Sequence, residues 1–364
     1  TMNKYNMIER KKTKQVMVGN VPIGGGAPVV IQSMTNTDTA DMPATLRQIN
    51  ELSEAGCQLV RITVPDEAAA AVLPKLTAQS PVPLIADIHF DYRLALAAIQ
   101  AGIAGLRLNP GNIGDADKVR QIAREAKAAG VPIRVGVNSG SLSKKMLAQH
   151  GGVVPAALVE SALEEIAQLE AEDFFDIVVS LKASNVPLML AAYREIAERV
   201  DYPLHIGVTE AGTPKRGSIK SAVGIGALLA EGLGDTLRVS LSGDPVQEIF
   251  VAKEILRSLG LYKTGVEYIV CPTCGRTKID LPAIAEEIEQ RVEALHISKP
   301  LKLAIMGCVV NGPGEAREAD FGLAGGNNEG VLFAKGQIIG KYPAAVLVDE
   351  FMSLVQNNID IEVL

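Results

Sequence analysis

The stretch Gly56-Cys57-Gln58-Leu59-Val60-Arg61-Ile62 sets the pattern that decides the fold. A helix-like segment stops at Gly, and a short apolar run with an Arg inside it follows. The pattern returns at Leu106-Arg107-Leu108, Ile133-Arg134-Val135 and Leu237-Arg238-Val239. The Arg stands five residues after Gly56 and Gly102, and four after Gly130 and Gly234. Outward from these copies, β-rich runs alternate with helical patterns from Val29 to Gly260. The expected strands are Val29–Thr35, Leu59–Val64, Leu84–His89, Gly105–Asn109, Pro132–Asn138, Asp176–Lys182, Leu204–Thr209 and Thr236–Ser242. Helix caps are expected at Asp41, Asp66, Asp91, Asp115, Asn185 and Asp244. Eight such units over roughly 250 residues predict right-handed parallel crossovers and a (β/α)8 TIM barrel rather than a doubly wound sheet.

The alternation stops after Gly260. The rest of the chain carries a helical pattern over Leu281–His296, strand-like runs at Leu301–Met306 and Val331–Ala334, and a last helix near Ala344–Gln356. This predicts a barrel domain over 1–263 and a smaller α+β domain over 264–364. The composition is that of a globular chain with a real core, 48% hydrophobic and 21% charged. Aromatics at 4%, no Trp and a net charge of −7 argue against a base-stacking nucleic-acid binder. No apolar run reaches the ~18 residues of a membrane span. Val16-Met17-Val18-Gly19-Asn20 is too short for a signal-peptide core, so a cytoplasmic protein is expected.

A cation inside a buried strand is costly unless paired. Arg61, Arg107, Arg134 and Arg238 recur at one place in the repeat, and Lys182 stands at a similar place. The inward carboxylates expected to meet them are only Asp87 and Glu210. Surplus cations at the C-terminal ends of barrel strands suit a phosphate-rich, anionic ligand, because the guanidinium fork matches phosphate oxygens. Spacing by two places Asp87 with His89, Arg107 with Asn109 and Arg238 with Ser240 on shared strand faces, and spacing by four does the same for Arg134 and Asn138. Glu210, ending the seventh strand, stands where a barrel places an acid or base. His150, His205 and His296 lack companions at ligand spacing and read as structural. Cys57 reads as a small buried hydrophobe.

Cys271 and Cys274 form a Cys-x-x-Cys pair, and Cys308 opens the run Cys308-Val309-Val310-Asn311-Gly312-Pro313-Gly314-Glu315. Both sites follow an apolar strand and enter a Gly/Pro-rich turn. Three thiolates are too few for a closed site built from cysteines alone, which takes four. A zinc site completed by His or water, a redox dithiol with a spare Cys, and an iron–sulfur cluster with one non-Cys ligand all stay open on the residues alone.

The motifs Val30-Ile31-Gln32-Ser33-Met34-Thr35-Asn36-Thr37, Ala86-Asp87-Ile88-His89-Phe90-Asp91-Tyr92-Arg93 and Arg107-Leu108-Asn109-Pro110-Gly111-Asn112-Ile113-Gly114 continue in order through the chain. Gly136-Val137-Asn138-Ser139-Gly140-Ser141-Leu142, Thr209-Glu210-Ala211-Gly212 and the two Cys motifs follow. Together they resemble the family of bacterial 4-hydroxy-3-methylbut-2-enyl diphosphate synthases, in the two-domain form without the plant insert. The resemblance implies a [4Fe–4S] cluster on Cys271, Cys274 and Cys308, with Glu315 as the replaceable fourth ligand. It implies reductive opening and dehydration of 2-C-methyl-D-erythritol 2,4-cyclodiphosphate in the methylerythritol phosphate route to isoprenoids. Flavodoxin or ferredoxin would supply the electrons. It also implies a homodimer in which the cluster domain of one subunit caps the barrel of the other. In that reading Arg61, Arg107, Arg134, Asn138, Lys182, Arg238 and Ser240 hold the diphosphate and Glu210 handles protons, with Asp87, His89 and Asn109 nearby. The rivals are a non-redox barrel enzyme on a phosphorylated or pterin-like substrate with a structural zinc tail, and an iron–sulfur carrier without catalysis. The carrier has no use for five barrel cations.

Overall fold

All eight expected barrel strands form in the computed structural model, which describes residues 8–114, 116–295, 297, 299–308, 314 and 316–359. A short hairpin, β1 (Val16–Val18) and β2 (Val21–Ile23), comes first. The barrel strands are β3 (Val30–Met34), β4 (Leu59–Thr63), β5 (Leu84–Asp87), β6 (Gly105–Leu108), β7 (Ile133–Asn138), β8 (Ile177–Lys182), β9 (His205–Ile206) and β10 (Thr236–Leu237). They pair in parallel in the order β8-β7-β6-β5-β4-β3-β10-β9. A parallel bridge between Val179 and Leu204 joins β8 to β9 and closes the ring. The last two strands are shorter than expected as ladders, but Arg238 N–H still donates to Ile206 O at 3.0 Å beyond them.

The local chemistry explains the alternation. Asp41, Asp66, Asp91 and Asn185 accept from backbone N–H groups in the first turns of their helices, as N-caps do. Asp244 acts one residue early, accepting from Val246 N at 2.9 Å before the helix Val246–Ser258. Asp115 lies outside the described residues. Gly56, Gly102, Gly130 and Gly260 take positive φ where helices stop; after the helix Pro214–Ala230 it is Gly232, not the expected Gly234, that does so, and Gly234 takes its positive φ just before β10. Strand residues such as Ile31, Leu59, Val60 and Ile62 are wholly buried. The hairpin, unforeseen in the sequence, packs Val18 and Ile23 against Val30, Leu59 and Ile85 at the N-terminal ends of the strands.

The chain divides into two compact units after Leu261. The second carries a five-stranded sheet ordered β11 (Val266–Val270), β12 (Leu301–Met306), β13 (Phe321–Gly325), β14 (Glu329–Ala334) and β15 (Gln337–Pro343). The first three strands run parallel and the last three antiparallel. Helices Leu281–Glu293 and Leu347–Asn358 bury Ile288, Val292, Phe351 and Val355 with Leu303, Ile305 and Leu323 of the sheet. No helix of the described residues is long and apolar enough to cross a membrane.

Candidate active site

The recurring arginines meet inside the barrel. Asp87 at the end of β5 is the centre of one group: Arg107 Nη1 lies 3.1 Å from Oδ1, and Arg61 Nε lies 3.7 Å and His89 Nε2 3.3 Å from Oδ2. Burial pushes the Asp87 carboxyl up, but Arg61, Arg107, His89 and Arg134 together hold it below the usual carboxylate range. Arg107 also donates to Gly136 O at 3.1 Å. A Cβ on Gly136 would lie 2.7 Å from Arg107 Nε, so glycine at this place in β7 makes room for the guanidinium. Deeper in the barrel, Arg134 donates to Gln32 Oε1 at 2.9 Å, and its own Nε has no partner.

The second group surrounds Glu248, which is only 2% exposed. Its carboxylate accepts from Arg238 Nε and Nη2, both at 3.2 Å, from Ser33 Oγ at 2.8 Å and from Leu241 N at 3.1 Å. This corrects the expectation that Glu210 is the second inward carboxylate. Glu210 is exposed and takes φ +51, whereas Glu248 reaches in from the helix Val246–Ser258. Because Glu248 sits on a helix, strand spacing gives no signal for it. Removing its charge leaves the half-buried Arg238 without its counter-ion. Glu248→Gln is therefore expected to cost about 3 kcal/mol, read as a lower urea midpoint at unchanged m-value.

Among the described residues, five cations thus share the barrel with two carboxylates that pair with them, Asp87 and Glu248. Burial pulls Arg61 down to about 10, with Arg238 and Arg107 adding repulsion against the favourable pull of Asp87. Burial also drives Lys182 and Arg134 well below their usual values, and the neighbouring arginines push the same way. Arg61 directs Nε and Nη2 at Met34 Sδ, at 3.1 and 2.9 Å, and Arg238 Nη1 approaches the same sulfur at 3.6 Å. A thioether is a weak acceptor, so these donors are poorly satisfied by the protein itself. An anion entering between them would relieve both the repulsion and the unmet donors. Asn109 is buried, and Asn138 and Ser240 are half-buried; Asn109 and Ser240 follow their arginines by two residues, Asn138 follows Arg134 by four.

His205 is fully buried, and burial with the surrounding cations drives its imidazole well below 6.5; it stays neutral and structural, as expected. His150 is half-buried with Nε2 unpartnered, and His296 lies outside the described residues. Cys57 is 3% exposed just before β4, and burial raises its thiol to about 12, consistent with a packing role.

In the second unit, Cys271 follows β11 and donates its N–H to Ile305 O at 3.0 Å, beside β12. Cys308 lies two residues past the end of β12, so two thiols follow neighbouring parallel strands. Cys274 sits in a turn where its N–H donates to Thr277 Oγ1 at 3.1 Å and its carbonyl accepts from Thr277 N at 2.9 Å. A Cβ on Gly307 would lie 2.7 Å from that Thr277 hydroxyl, so the turn packs closely beside Cys308. The charge of Arg276 acts on both Cys274 and Cys308. The Arg276 N–H and charge lower the Cys274 thiol toward the thiolate that metal binding requires. Among the described residues no three His, Cys, Asp or Glu side chains enclose a metal position by themselves. Glu315, expected as the fourth ligand, lies outside those residues. The soft donor set of three cysteines, two of them following neighbouring parallel strands, fits a thiolate-bound iron–sulfur group.

A TIM barrel with a polycationic interior, followed by a thiol-bearing α+β unit, defines a phosphate-handling barrel protein with a metal-ligand domain. Family models sharpen this. The GcpE TIM-barrel domain matches residues 13–253 and the GcpE protein C-terminal domain matches 267–357. The chain belongs to the GcpE family. It is 56% identical over 349 residues to "4-hydroxy-3-methylbut-2-en-1-yl diphosphate synthase (flavodoxin)" of Clostridium perfringens, covering 96% of this chain and 99% of that one. A protein of the same name from Geobacter sulfurreducens is 56% identical over 347 residues, 95% of this chain and 98% of that one. Among solved structures, 3-dehydroquinate dehydratase from Geobacillus kaustophilus aligns at TM-score 0.50 and 16% identity, over 70% of this chain and 99% of that one. That likeness is one of fold alone.

Proposed function

We propose that this chain reduces and opens 2-C-methyl-D-erythritol 2,4-cyclodiphosphate to 4-hydroxy-3-methylbut-2-enyl diphosphate, with loss of water and electrons taken from flavodoxin. The observation that carries the reading is the imbalance inside the barrel, where the described residues set five cations against two carboxylates that pair with them, Asp87 and Glu248. A diphosphate supplies the missing negative charge and oxygen acceptors in the geometry that guanidinium forks favour. Arg61, Arg107, Arg134, Lys182 and Arg238 would bind it, with Asn138 and Ser240 completing the polar contacts. Asp87 and Glu248 keep the cations apart and oriented until substrate arrives. Glu210, exposed and at a left-handed φ beyond β9, would donate the proton that leaves with the hydroxyl.

A [4Fe–4S] cluster on Cys271, Cys274, Cys308 and Glu315 would supply the electrons and a Lewis-acidic iron. The rival of a non-redox barrel enzyme with a structural zinc tail is not favoured, because the relatives matched over nearly their full length are named 4-hydroxy-3-methylbut-2-en-1-yl diphosphate synthase (flavodoxin). Anaerobically prepared protein is expected to contain iron and acid-labile sulfide near four per chain on this reading. Zinc without sulfide would overturn it.

The homodimer is part of the proposal: the cluster domain of one subunit serves the barrel of its partner. Mixed dimers test it. Assayed at substrate near the wild-type KM, where Arg107→Met and Cys308→Ser chains are each nearly inactive alone, randomly mixed chains are expected to regain about a quarter of wild-type activity, since half the dimers then hold one intact site. No recovery in verified mixed dimers would show that barrel and cluster act within one chain.

A further inference from the structure

Met34 has no part in the proposed chemistry, yet two of the barrel cations meet on its sulfur. It ends β3, which lies between β4 and β10 in the ring. Parallel pairing sets Met34 beside Arg61 of β4, and Thr35 N–H donates to Arg61 O at 3.1 Å, so the two side chains start as neighbours on one strand face. Arg61 Nε and Nη2 lie 3.1 and 2.9 Å from Met34 Sδ, whereas Asp87 Oδ2 lies 3.7 Å from Nε, beyond hydrogen-bond range. That carboxylate is already engaged by Arg107 at 3.1 Å and His89 at 3.3 Å. Among the described residues, the sulfur is thus the one acceptor within hydrogen-bond reach of the Arg61 side chain. Arg238, by contrast, is held by Glu248 through Nε and Nη2 and touches the same sulfur only with Nη1, at 3.6 Å. A thioether is neutral and a weak acceptor. It orients the Arg61 fork without cancelling its charge, as a carboxylate in its place would, and little is lost when an anion draws the fork away.

We propose that Met34 is a positioning residue for the barrel site: its sulfur holds the Arg61 guanidinium beside that of Arg238, ready for an anion that bridges the two. Two of the five Arg61 N–H donors go to the sulfur, and the other three remain for phosphate oxygens. The ligand half of this inference rests on the diphosphate reading above; the pairing of sulfur and guanidinium does not.

Two measurements on the iron-loaded enzyme test the halves separately. In substrate-free crystal structures, the wild type is expected to keep the Arg61 fork on Met34 Sδ. Met34→Leu, which conserves volume but removes the acceptor, is expected to turn that fork toward Asp87. A fork away from the sulfur in the wild type, or in the same place in both proteins, would overturn the pairing, whatever the enzyme's substrate. In steady-state turnover of the cyclic diphosphate, Met34→Leu is expected to raise KM about tenfold with kcat nearly unchanged, as loss of one well-placed contact to an anion would. Met34→Gln, whose carbonyl can accept from the same fork, is expected to hold KM within about threefold of wild type. In the Arg61→Met background, Met34→Leu should add nothing. An unchanged KM in Met34→Leu, or independent, multiplying effects of the two substitutions, would overturn the positioning role. If Met34→Leu does not fold, Met34→Ala and Met34→Gln carry the same comparison: Gln must spare KM where Ala raises it, and equal KM values overturn the role. Wild type failing to turn over the cyclic diphosphate would defeat the functional reading and leave the crystallographic result standing.

Discussion

Arg107→Met is expected to weaken binding of the cyclic diphosphate by about 100-fold, with the fold retained. Arg107 joins three things: the Asp87 carboxylate at 3.1 Å, the Gly136 carbonyl at 3.1 Å, and the mouth of the barrel, where its side chain keeps 13% exposure. Losing a charge-assisted contact to a dianionic group costs about 3 kcal/mol where water is largely excluded, and each 1.4 kcal/mol is about tenfold. Asp87 would keep Arg61 and His89, so its charge is not abandoned. The unfolding midpoint should therefore move much less than the affinity. Calorimetric titration and urea denaturation on the same sample separate the two. Equal losses in both would mean that Arg107 serves the fold and not the ligand.

The second large effect lies in the other unit. Cys308→Ser is expected to abolish turnover while the barrel still binds substrate. A serine hydroxyl is a hard and weakly acidic donor compared with a thiolate, so the iron–sulfur group should be lost or depleted. Iron and sulfide content should fall together, with the visible absorbance. Affinity for the cyclic diphosphate, which the barrel cations carry, should stay within about threefold of wild type, as expected for independent sites. Retained turnover with reduced flavodoxin would contradict the assignment of Cys308 as a ligand.

The barrel was legible because its signals are periodic and local. Gly stops, Asp and Asn caps and apolar runs each leave a mark within a few residues, and the structure places them where that reading expects. The cations were legible for the same reason: an Arg between buried neighbours breaks a strand pattern visibly. Their counter-ions were less so. Asp87 ends a strand and could be read there, but Glu248 enters from a helix. On a helix, a Glu among alternating charges looks like an exposed residue until the packing is known. The nearest signal was Gly136, whose place in Arg134-Val135-Gly136 hints that a large side chain needs its space. The hairpin β1–β2 escaped notice because each strand has three residues and one contains Pro22. Strands β13 and β15 carry glycines, and β15 is largely exposed and ends in Pro343, so neither shows a buried strand pattern. Glu315 owes its assignment to resemblance, since its spacing from Cys308 selects no particular metal.

The most direct test of the account is turnover by anaerobically prepared protein given reduced flavodoxin and 2-C-methyl-D-erythritol 2,4-cyclodiphosphate, with product and oxidised flavodoxin measured together. The account predicts 4-hydroxy-3-methylbut-2-enyl diphosphate, formed with a two-electron balance. Protein that holds its full iron and sulfide, accepts electrons from flavodoxin and leaves the cyclic diphosphate intact would contradict it.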